Sequence, residues 1–139
     1  MAEQNTDKKI NVKIITHEKV VYENDVDAVY SPGSQGEFGI LYNHIPFMTT
    51  LNIGVTRVVN NGEQEYVSTL GGIFHFRDNK VIILADEAER GTDIDVPRAK
   101  LAKERAEARL GNAKDKKDRV RAEKAIARAM ARLKAANKK

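Results

Sequence analysis

The two ends of this 139-residue chain differ so sharply in charge and composition that a single uniform fold is excluded. Residues 1–90 hold 8 basic and 13 acidic side chains, whereas residues 91–139 hold 16 basic and 7 acidic ones. All eight aromatic residues lie between Tyr22 and Phe76, and twelve alanines follow residue 90. Such an asymmetry is typical of two modules. The predicted divisions are a polar flexible tail over residues 1–9, a first domain over residues 10–90 and a second domain over residues 91–139.

Short runs of β-forming residues fill the first domain. Ile10, Val12 and Ile14 recur with a period of two, as in a half-buried strand. Asn61-Gly62 and Asp78-Asn79-Lys80 each separate two such runs and predict hairpins. The glycine-rich segment 31–39 is either a tight turn between strands or a loop presented to a partner. Gly71-Gly72 indicates a bend or bulge at a strand start. The first domain is therefore predicted to be all-β, an antiparallel sandwich or a flattened barrel.

The second domain consists of strong helix formers interrupted once. Asp93 or Asp95 is expected to cap a first helix, Gly111-Asn112 to end it in a left-handed conformation, and Asp115 or Asp118 to start a second helix. The predicted fold class is α+β, an N-terminal antiparallel β-sandwich followed by a C-terminal two-helix antiparallel hairpin. The predicted apolar positions of the hairpin are Leu101, Ala102, Ala106 and Ala108 on the first helix and Ala122, Ile126, Ala129, Met130, Leu133 and Ala136 on the second.

These apolar positions are mostly alanines, so burying them gains little free energy. We therefore predict a hairpin that docks weakly and can open without unfolding the sandwich, with a permanently fixed appendage as the alternative. Three arginines at spacing i, i+7 and i+11 recur on both helices and would flank one groove that suits a polyanion. An ordinary solvent-exposed charged face is the alternative. The two rows are Arg98, Arg105 and Arg109, and Arg121, Arg128 and Arg132.

Composition and motifs distinguish between several classes of function. The absence of cysteine excludes disulfides, zinc knuckles and thiol catalysis, and neither His17 nor His75 has the spacing partners of a metal site. No apolar run approaches the roughly 20 residues of a membrane-spanning helix, so direct membrane insertion is not expected. A nucleic-acid-binding protein would use the basic domain, but that domain has no aromatic residue for base stacking. A hydrolase would have to rely on His44 with Glu37. The remaining class of function is that of a protein–protein interaction module.

Four motifs carry a resemblance to a known family. Residues 36–46, G-E-F-G-I-L-Y-N-H-I-P, resemble the G-E-L/F-G-I-L-P-G-H-x-P segment of the epsilon subunit of bacterial F-type ATP synthase, with Tyr42-Asn43 in place of Pro-Gly. Leu70-Gly71-Gly72 is similar to the S-G-G stretch of that family, and residues 81–86 to its V-T-I-L-A-D strand. Residues 94–99 match the I/L-D-x-x-R-A motif of the epsilon subunits that bind ATP. The resemblance spans about residues 10–133.

The resemblance implies a non-catalytic subunit of the central stalk, peripheral on the cytoplasmic face of the bacterial cell membrane, that couples proton translocation to rotation and ATP synthesis. Its implied partners are the gamma subunit and the c-subunit ring, contacted through Glu37 and His44, and the alpha and beta catalytic subunits, reached by the extended hairpin. The extended hairpin would inhibit ATP hydrolysis, and ATP, with or without Mg²⁺, would hold it folded. The implied ATP-binding residues are Glu89, Ile94, Asp95, Arg98, Ala99, Arg105, Arg128 and Arg132.

Overall fold

A computed structural model describes residues 8–137, in which eight strands are followed by two helices. The strands are β1 (Ile10–Ile15), β2 (Val20–Val26), β3 (Ala28–Gly33), β4 (Gly36–Leu41), β5 (Phe47–Asn60), β6 (Glu63–Arg77), β7 (Lys80–Ala85) and β8 (Ala88–Arg90). A 3-10 turn (Gly91–Asp93) leads into the helices α1 (Val96–Gly111) and α2 (Lys116–Asn137). The predicted β-domain followed by a helical hairpin is confirmed. Most of the predicted tail over residues 1–9 lies outside the described residues.

The strands form one hydrogen-bonded sheet in the order β2-β1-β7-β6-β5-β3-β4, with β8 paired to β6. All pairs are antiparallel except β1 with β7, which the sequence pattern did not reveal. Seven strands contribute to one buried cluster, so the sheet folds over on itself and encloses a core. The cluster contains Ile10, Val12, Ile14, Tyr22, Val26, Val29, Ile40, Leu51, Val58, Val67, Phe74, Phe76, Val81, Ile83 and Ala85.

The strand β6 bends in its middle, which allows it to serve both halves of the sandwich. Alternate side chains of a strand point to opposite faces, yet Val67 and Phe74 both enter the core, so the buried face of β6 changes between them. Gly71 and Gly72 lie at that change with φ of 87° and 136°. A Cβ at Gly72 would overlap the Leu84 carbonyl oxygen. The predicted bend is confirmed, but it lies within β6 and not at a strand start.

The turns between strands follow the predicted chemistry. Asn61 and Gly62 have φ of 54° and 82°, and Asp78 and Asn79 have φ of 52° and 60°. Two consecutive left-handed residues are the requirement of a tight hairpin turn, so both predicted hairpins are confirmed. Segment 31–39 is a β3–β4 hairpin, which confirms the interpretation as a turn between strands.

Both helices begin at an aspartate cap. The Asp95 carboxylate accepts a hydrogen bond from the Arg98 backbone N–H at 3.1 Å, and Asp115 accepts one from the Asp118 N–H at 2.8 Å. The predicted left-handed end of α1 is wrong, because Gly111 is still helical and Asn112 has a φ of −103°. The Asn112 N–H instead bonds back to the carbonyls of the last turn, so a left-handed residue is not needed.

The hairpin is packed almost entirely through alanine. Its fully buried residues are Ala99, Ala106, Ala122, Ala129, Ala131, Ala135 and Ala136. Three predicted positions are wrong, since Leu101, Ala108 and Met130 are exposed, with Met130 at 52%. The small residues at spacing seven, Ala122, Ala129 and Ala136, define the packed stripe, while Ile126 and Leu133 beside it are half-buried. Each methyl group contributes about 0.8 kcal/mol on burial, so the interface is weak.

Lys9 anchors the start of β1 to two turns of the sandwich. Its ammonium donates to Asp27 Oδ1 at 2.7 Å, Asn60 Oδ1 at 2.8 Å and Asn61 Oδ1 at 2.9 Å. The Asp27 carboxylate also accepts from the Asn61 backbone N–H at 2.8 Å. These hydrogen bonds hold the pKa of the Asp27 carboxyl below its ordinary value, and the one from Lys9 has the largest effect.

We expect Asp27→Asn to lower the thermal midpoint of unfolding at pH 7 slightly. A carboxyl whose pKa is lowered on folding stabilises the fold above its unfolded pKa of about 4, and this stabilisation is lost as pH falls through the folded value. The loss should be below about 1 kcal/mol because the pair is partly exposed. Thermal melts at pH 7 and pH 3 should show the difference from wild type at pH 7 only. Glu23→Gln serves as a charge-matched control, and a pH-independent difference would contradict this account.

Candidate functional site

The residues predicted to bind a nucleotide lie where the hairpin meets the sandwich. Strand β8 carries Glu89, which pairs with Ser68 of β6 and lies on the same face of the sheet. Helix α2 packs against β5, β6, β8 and the 3-10 turn, and α1 packs against α2. A Cβ at Gly91 would overlap the Ala135 carbonyl oxygen, so the last turns of α2 lie directly on the 3-10 turn. The hairpin is therefore folded against the sandwich in this structure.

A small cavity of about 160 Å³ lies at the N-terminus of α1. Its lining consists of six residues, and all six belong to the predicted nucleotide site. They are Glu89, Ile94, Asp95, Arg98, Ala99 and Arg132. They come from β8, the segment before α1, the first turn of α1 and the end of α2, so only the folded hairpin brings them together.

A second cavity of about 140 Å³ lies between the two helices and shares Arg132 with the first. Its lining is Glu87, Ala102, Arg109, Ala125, Arg128, Ala129 and Arg132. Three arginines thus surround one space, with alanines allowing the helices to approach. Each cavity alone is below the roughly 300–1,000 Å³ of typical ligand sites, so a nucleotide would need both.

The Arg132 side chain joins the hairpin to the sandwich. Its Nε lies 3.1 Å from Glu89 Oε1, and its terminal NH2 nitrogen lies 3.5 Å from Glu87 Oε1. The side chain of Arg132 is 30% exposed, and its Nε is buried without a hydrogen bond of acceptable geometry among the described residues. The Nε–H can therefore donate to a better-placed anion.

The remaining predicted residues are placed differently. Arg128 lines the second cavity, whereas Arg105 is exposed on α1 and lines neither cavity. The Asp95 carboxylate is engaged as the helix cap, which fixes the backbone beside Arg98. Sequence reasoning missed Glu87 as a neighbour of Arg132, although Glu87 and Glu89, two apart on an extended segment, could have been expected on one face.

Two larger cavities lie on the sandwich side of the same junction. One, of about 500 Å³, shares Glu89 and Arg132 with the first cavity, and the other, of about 460 Å³, lies around Arg90 and the 3-10 turn. Arg90 pairs with Glu65 there, and its guanidinium lies 5.5 Å from the centre of the Tyr22 ring. Burial raises the pKa of Tyr22 above its ordinary value. None of the predicted nucleotide-binding arginines except Arg132 enters these two spaces.

Glu37 and His44, the predicted partner-binding residues, are both exposed. Asn43 before the histidine has a φ of 65°, in the left-handed region that glycine favours and asparagine tolerates, and its N–H donates to Asn79 Oδ1 at 2.7 Å. The His44 ring lies edge-on to Phe47 and Phe76, with Nδ1 2.7 Å from the Ile45 carbonyl oxygen. Within residues 8–137 no hydrogen bond or ion pair joins Glu37 to His44, which removes the support for a hydrolytic pair.

An apolar surface lies close to His44. Ile45 is 74% and Met48 is 65% exposed. On the sheet, Met48 pairs with His75 and His75 with Ile82, while Ile73 pairs with Leu84, so these side chains form two adjacent rows on one face. Ile73, Ile82 and Leu84 are each more than 40% exposed. We call Met48, Ile73, His75, Ile82 and Leu84 the apolar sheet face.

Comparison with known proteins identifies the family. A sequence model described as "ATP synthase, Delta/Epsilon chain, beta-sandwich domain" matches residues 9–91, and one described as "ATP synthase, Delta/Epsilon chain, long alpha-helix domain" matches residues 92–137. The chain belongs to the ATP synthase epsilon chain family. The ATP synthase epsilon chain of Nitratidesulfovibrio vulgaris is 46% identical over 127 residues, 91% of this chain and 95% of the relative. The ATP synthase epsilon chain of Desulforamulus reducens is 43% identical over 129 residues, which are 93% of this chain and 98% of the relative.

Solved structures share the epsilon-chain fold at lower identity. A chain in the cryo-EM structure of the Euglena gracilis mitochondrial ATP synthase, titled OSCP/F1/c-ring in rotational state 1, superposes with a TM-score of 0.78 at 24% identity. The alignment covers 98% of this chain and 86% of that one. A chain in the cryo-EM structure of the Tetrahymena thermophila mitochondrial ATP synthase, titled central stalk/c-ring, superposes with a TM-score of 0.61 at 14% identity. The alignment covers 94% of this chain and 98% of that one.

Two properties of the described part of this epsilon-family chain bear on cofactors and membranes. Within residues 8–137, no cluster of three or more His, Asp or Glu side chains is arranged to hold a metal ion. No helix in the same range has the length and hydropathy needed to cross a bilayer.

Proposed function

We propose that this chain is the epsilon subunit of a bacterial ATP synthase, a non-catalytic part of the central stalk that couples proton translocation to rotation and ATP synthesis. Family membership supports this, as do the names of the relatives and the complexes in which chains of the same fold occur. By this proposal the subunit is peripheral, on the cytoplasmic face of the cell membrane.

The sandwich is proposed to bind the gamma subunit and the c-subunit ring. Glu37 and His44 are exposed and therefore available to such partners. The apolar sheet face supports a docked protein, because contiguous exposed apolar side chains on a rigid sheet are typical of interaction sites. The Glu37 carboxylate would contact polar loops of the ring, and the apolar side chains would contact the stalk.

The hairpin is proposed to be a mobile brake on ATP hydrolysis. Its interface is built from alanines and one arginine that bridges to Glu87 and Glu89, so undocking exposes little apolar surface. The sandwich has a separate core confined to residues 10–85, so opening need not unfold it. Once extended, the domain would carry a net charge of +9 over residues 91–139 towards acidic surfaces of the alpha and beta subunits.

ATP is proposed to hold the hairpin folded. The main support is the cavity of about 160 Å³ at the N-terminus of α1. Every residue that lines this cavity belongs to the nucleotide site implied by the resemblance, and the cavity exists only when the hairpin is folded. Arg98, Arg128 and Arg132 would neutralise the phosphates, while Glu89 and the Ile94–Asp95 backbone would orient the arginines or contact the adenine edge. Any Mg²⁺ would arrive with the phosphates. A ligand that binds only one state shifts the equilibrium towards that state.

Hydrogen exchange of the full-length chain tests this proposal. With ATP, the amides of α1 and α2 should exchange at least about tenfold more slowly, since a 1.4 kcal/mol shift of the open–closed equilibrium changes it tenfold. The strand β4, which lines none of the cavities around Arg132, is the internal control. AMP should protect far less because the arginines act on the phosphates. Equal hairpin exchange with and without saturating ATP would overturn the nucleotide-binding part of the proposal.

A further inference from the structure

Arg132 has two carboxylate neighbours, and only Glu89 belongs to the nucleotide site implied by sequence. The second, Glu87, lies 3.5 Å from Arg132 and lines the cavity that also contains Arg109 and Arg128. It is the one acidic side chain in the lining of that cavity. A negative charge thus already lies in the space where three arginines converge.

The backbone on either side of Glu87 is fixed to the sandwich. The Leu70 N–H donates to the Glu87 carbonyl oxygen at 2.9 Å, and the Asp86 N–H donates to the Gly71 carbonyl oxygen at 3.0 Å. The side chain therefore extends from a rigid segment between β7 and β8 to the arginines, and its 58% exposure leaves it free to swing into solvent. It is a carboxylate held near the arginines but easily displaced.

We propose that Glu87 is an internal competitor for the phosphate-binding arginines and so sets the affinity of the site for polyanions. This rests on the proposed nucleotide site. In the ligand-free chain the carboxylate partly neutralises Arg132, as a phosphate oxygen would. A bound triphosphate must displace Glu87 or tolerate its charge nearby. Either requirement weakens binding, so Glu87 raises the ATP concentration at which the hairpin closes.

Two effects of removing this charge oppose each other. Losing the competitor favours phosphate binding, while losing the Glu87–Arg132 pair loosens the folded hairpin and lowers the fraction ready to bind. The second effect is the smaller one, because the pair is long, its Glu87 side chain is more than half exposed, and Glu89 still contacts Arg132 at 3.1 Å. The net result should be tighter binding.

Isothermal titration calorimetry of full-length variants with ATP and with inorganic tripolyphosphate tests the inference. Glu87→Gln should lower the Kd of both ligands by about threefold to tenfold, as expected when one unit charge near the phosphates is removed. The gain in affinity should shrink as the salt concentration is raised from about 0.05 to about 0.5 M, because the Debye screening length falls from roughly 14 to roughly 4 Å over that range. Glu23→Gln, the same charge change on an exposed edge strand, should leave Kd unchanged, and Glu89→Gln should not tighten binding.

The possible results separate the two proposals. If Glu87→Gln leaves both Kd values unchanged or weakens them while Arg132→Ala still abolishes binding, the competitor role is wrong and the nucleotide site stands. If Glu87→Gln and Glu23→Gln tighten binding equally, the effect is one of net charge and the inference is again wrong. If no variant binds ATP, wild type included, the nucleotide site is wrong and this inference is wrong with it.

Discussion

Removing residues 91–139 should raise ATP hydrolysis by the assembled catalytic sector about fivefold or more, because coupling energies of about 1–3 kcal/mol correspond to about 5–150-fold. The proposed brake resides entirely in the hairpin, and the core of the sandwich lies entirely within residues 10–85, so the shortened chain should still fold. The measurement is the hydrolysis rate of the sector assembled with the full or the shortened chain, at low and at high ATP.

Two controls decide what an increase means. Co-purification of the shortened chain with the gamma subunit must show that the sandwich is still bound, since loss of the whole subunit would also release the enzyme. The excess rate over the full chain should be largest at low ATP, where the hairpin is free to extend, and should fall at high ATP. Equal rates for the two chains at every ATP concentration would contradict the brake.

The general architecture could be predicted because it depends on local chemistry. The period of two in residues 10–14, the Asn61-Gly62 turn and the Asp95 and Asp115 caps act through neighbours in sequence, and the structure confirms each of them. The parallel pairing of β1 with β7 joins residues about 70 positions apart, and no local signal specifies it. Long-range register is fixed only when the whole core assembles.

Prediction of the buried face of the hairpin was right for most positions and wrong for Leu101, Ala108 and Met130. The stripe of α2 that contains Ala122, Ala129 and Ala136 is buried as predicted. Hydrophobicity also places Met130 in that stripe and Leu101 in the stripe of α1, but both side chains are exposed. In a closely packed pair of helices the smallest side chains face the partner, so the larger apolar residues are displaced to the exposed side. Hydrophobicity alone is therefore misleading where two alanine-rich helices meet.

The arginine rows show the same limit within the candidate site. Spacing predicts two rows of arginines that flank one groove, because i, i+7 and i+11 share a helix face whatever lies opposite. Four of these arginines line the two small cavities, namely Arg98, Arg109, Arg128 and Arg132. Spacing could not distinguish them from Arg105 and Arg121, which lie in the same rows but line neither cavity. Glu87 was missed because its contact with Arg132 crosses 45 positions and depends on how the hairpin docks.

The double variant Asp95→Ala with Arg98→Ala should abolish ATP binding and the ATP-dependent protection of the hairpin. Arg98 contributes a charge-assisted hydrogen bond worth about 1.5–3 kcal/mol, and the Asp95 cap contributes about 0.5–2 kcal/mol to the start of α1. Together these correspond to a loss of affinity of about 30-fold or more. Calorimetry and hydrogen exchange of the same samples measure both effects.

Loss of the cap alone could loosen α1 without affecting any ligand contact, so a second variant separates the two causes. Asp95→Asn with Arg98→Ala keeps a good capping side chain and removes only the two charges next to the cavity. Lys100→Ala with Glu104→Ala removes one base and one acid from exposed positions of the same helix. If the capped variant loses ATP binding while the exposed pair does not, the charges at the cavity are responsible. Binding that survives in the capped variant would move the nucleotide away from the N-terminus of α1.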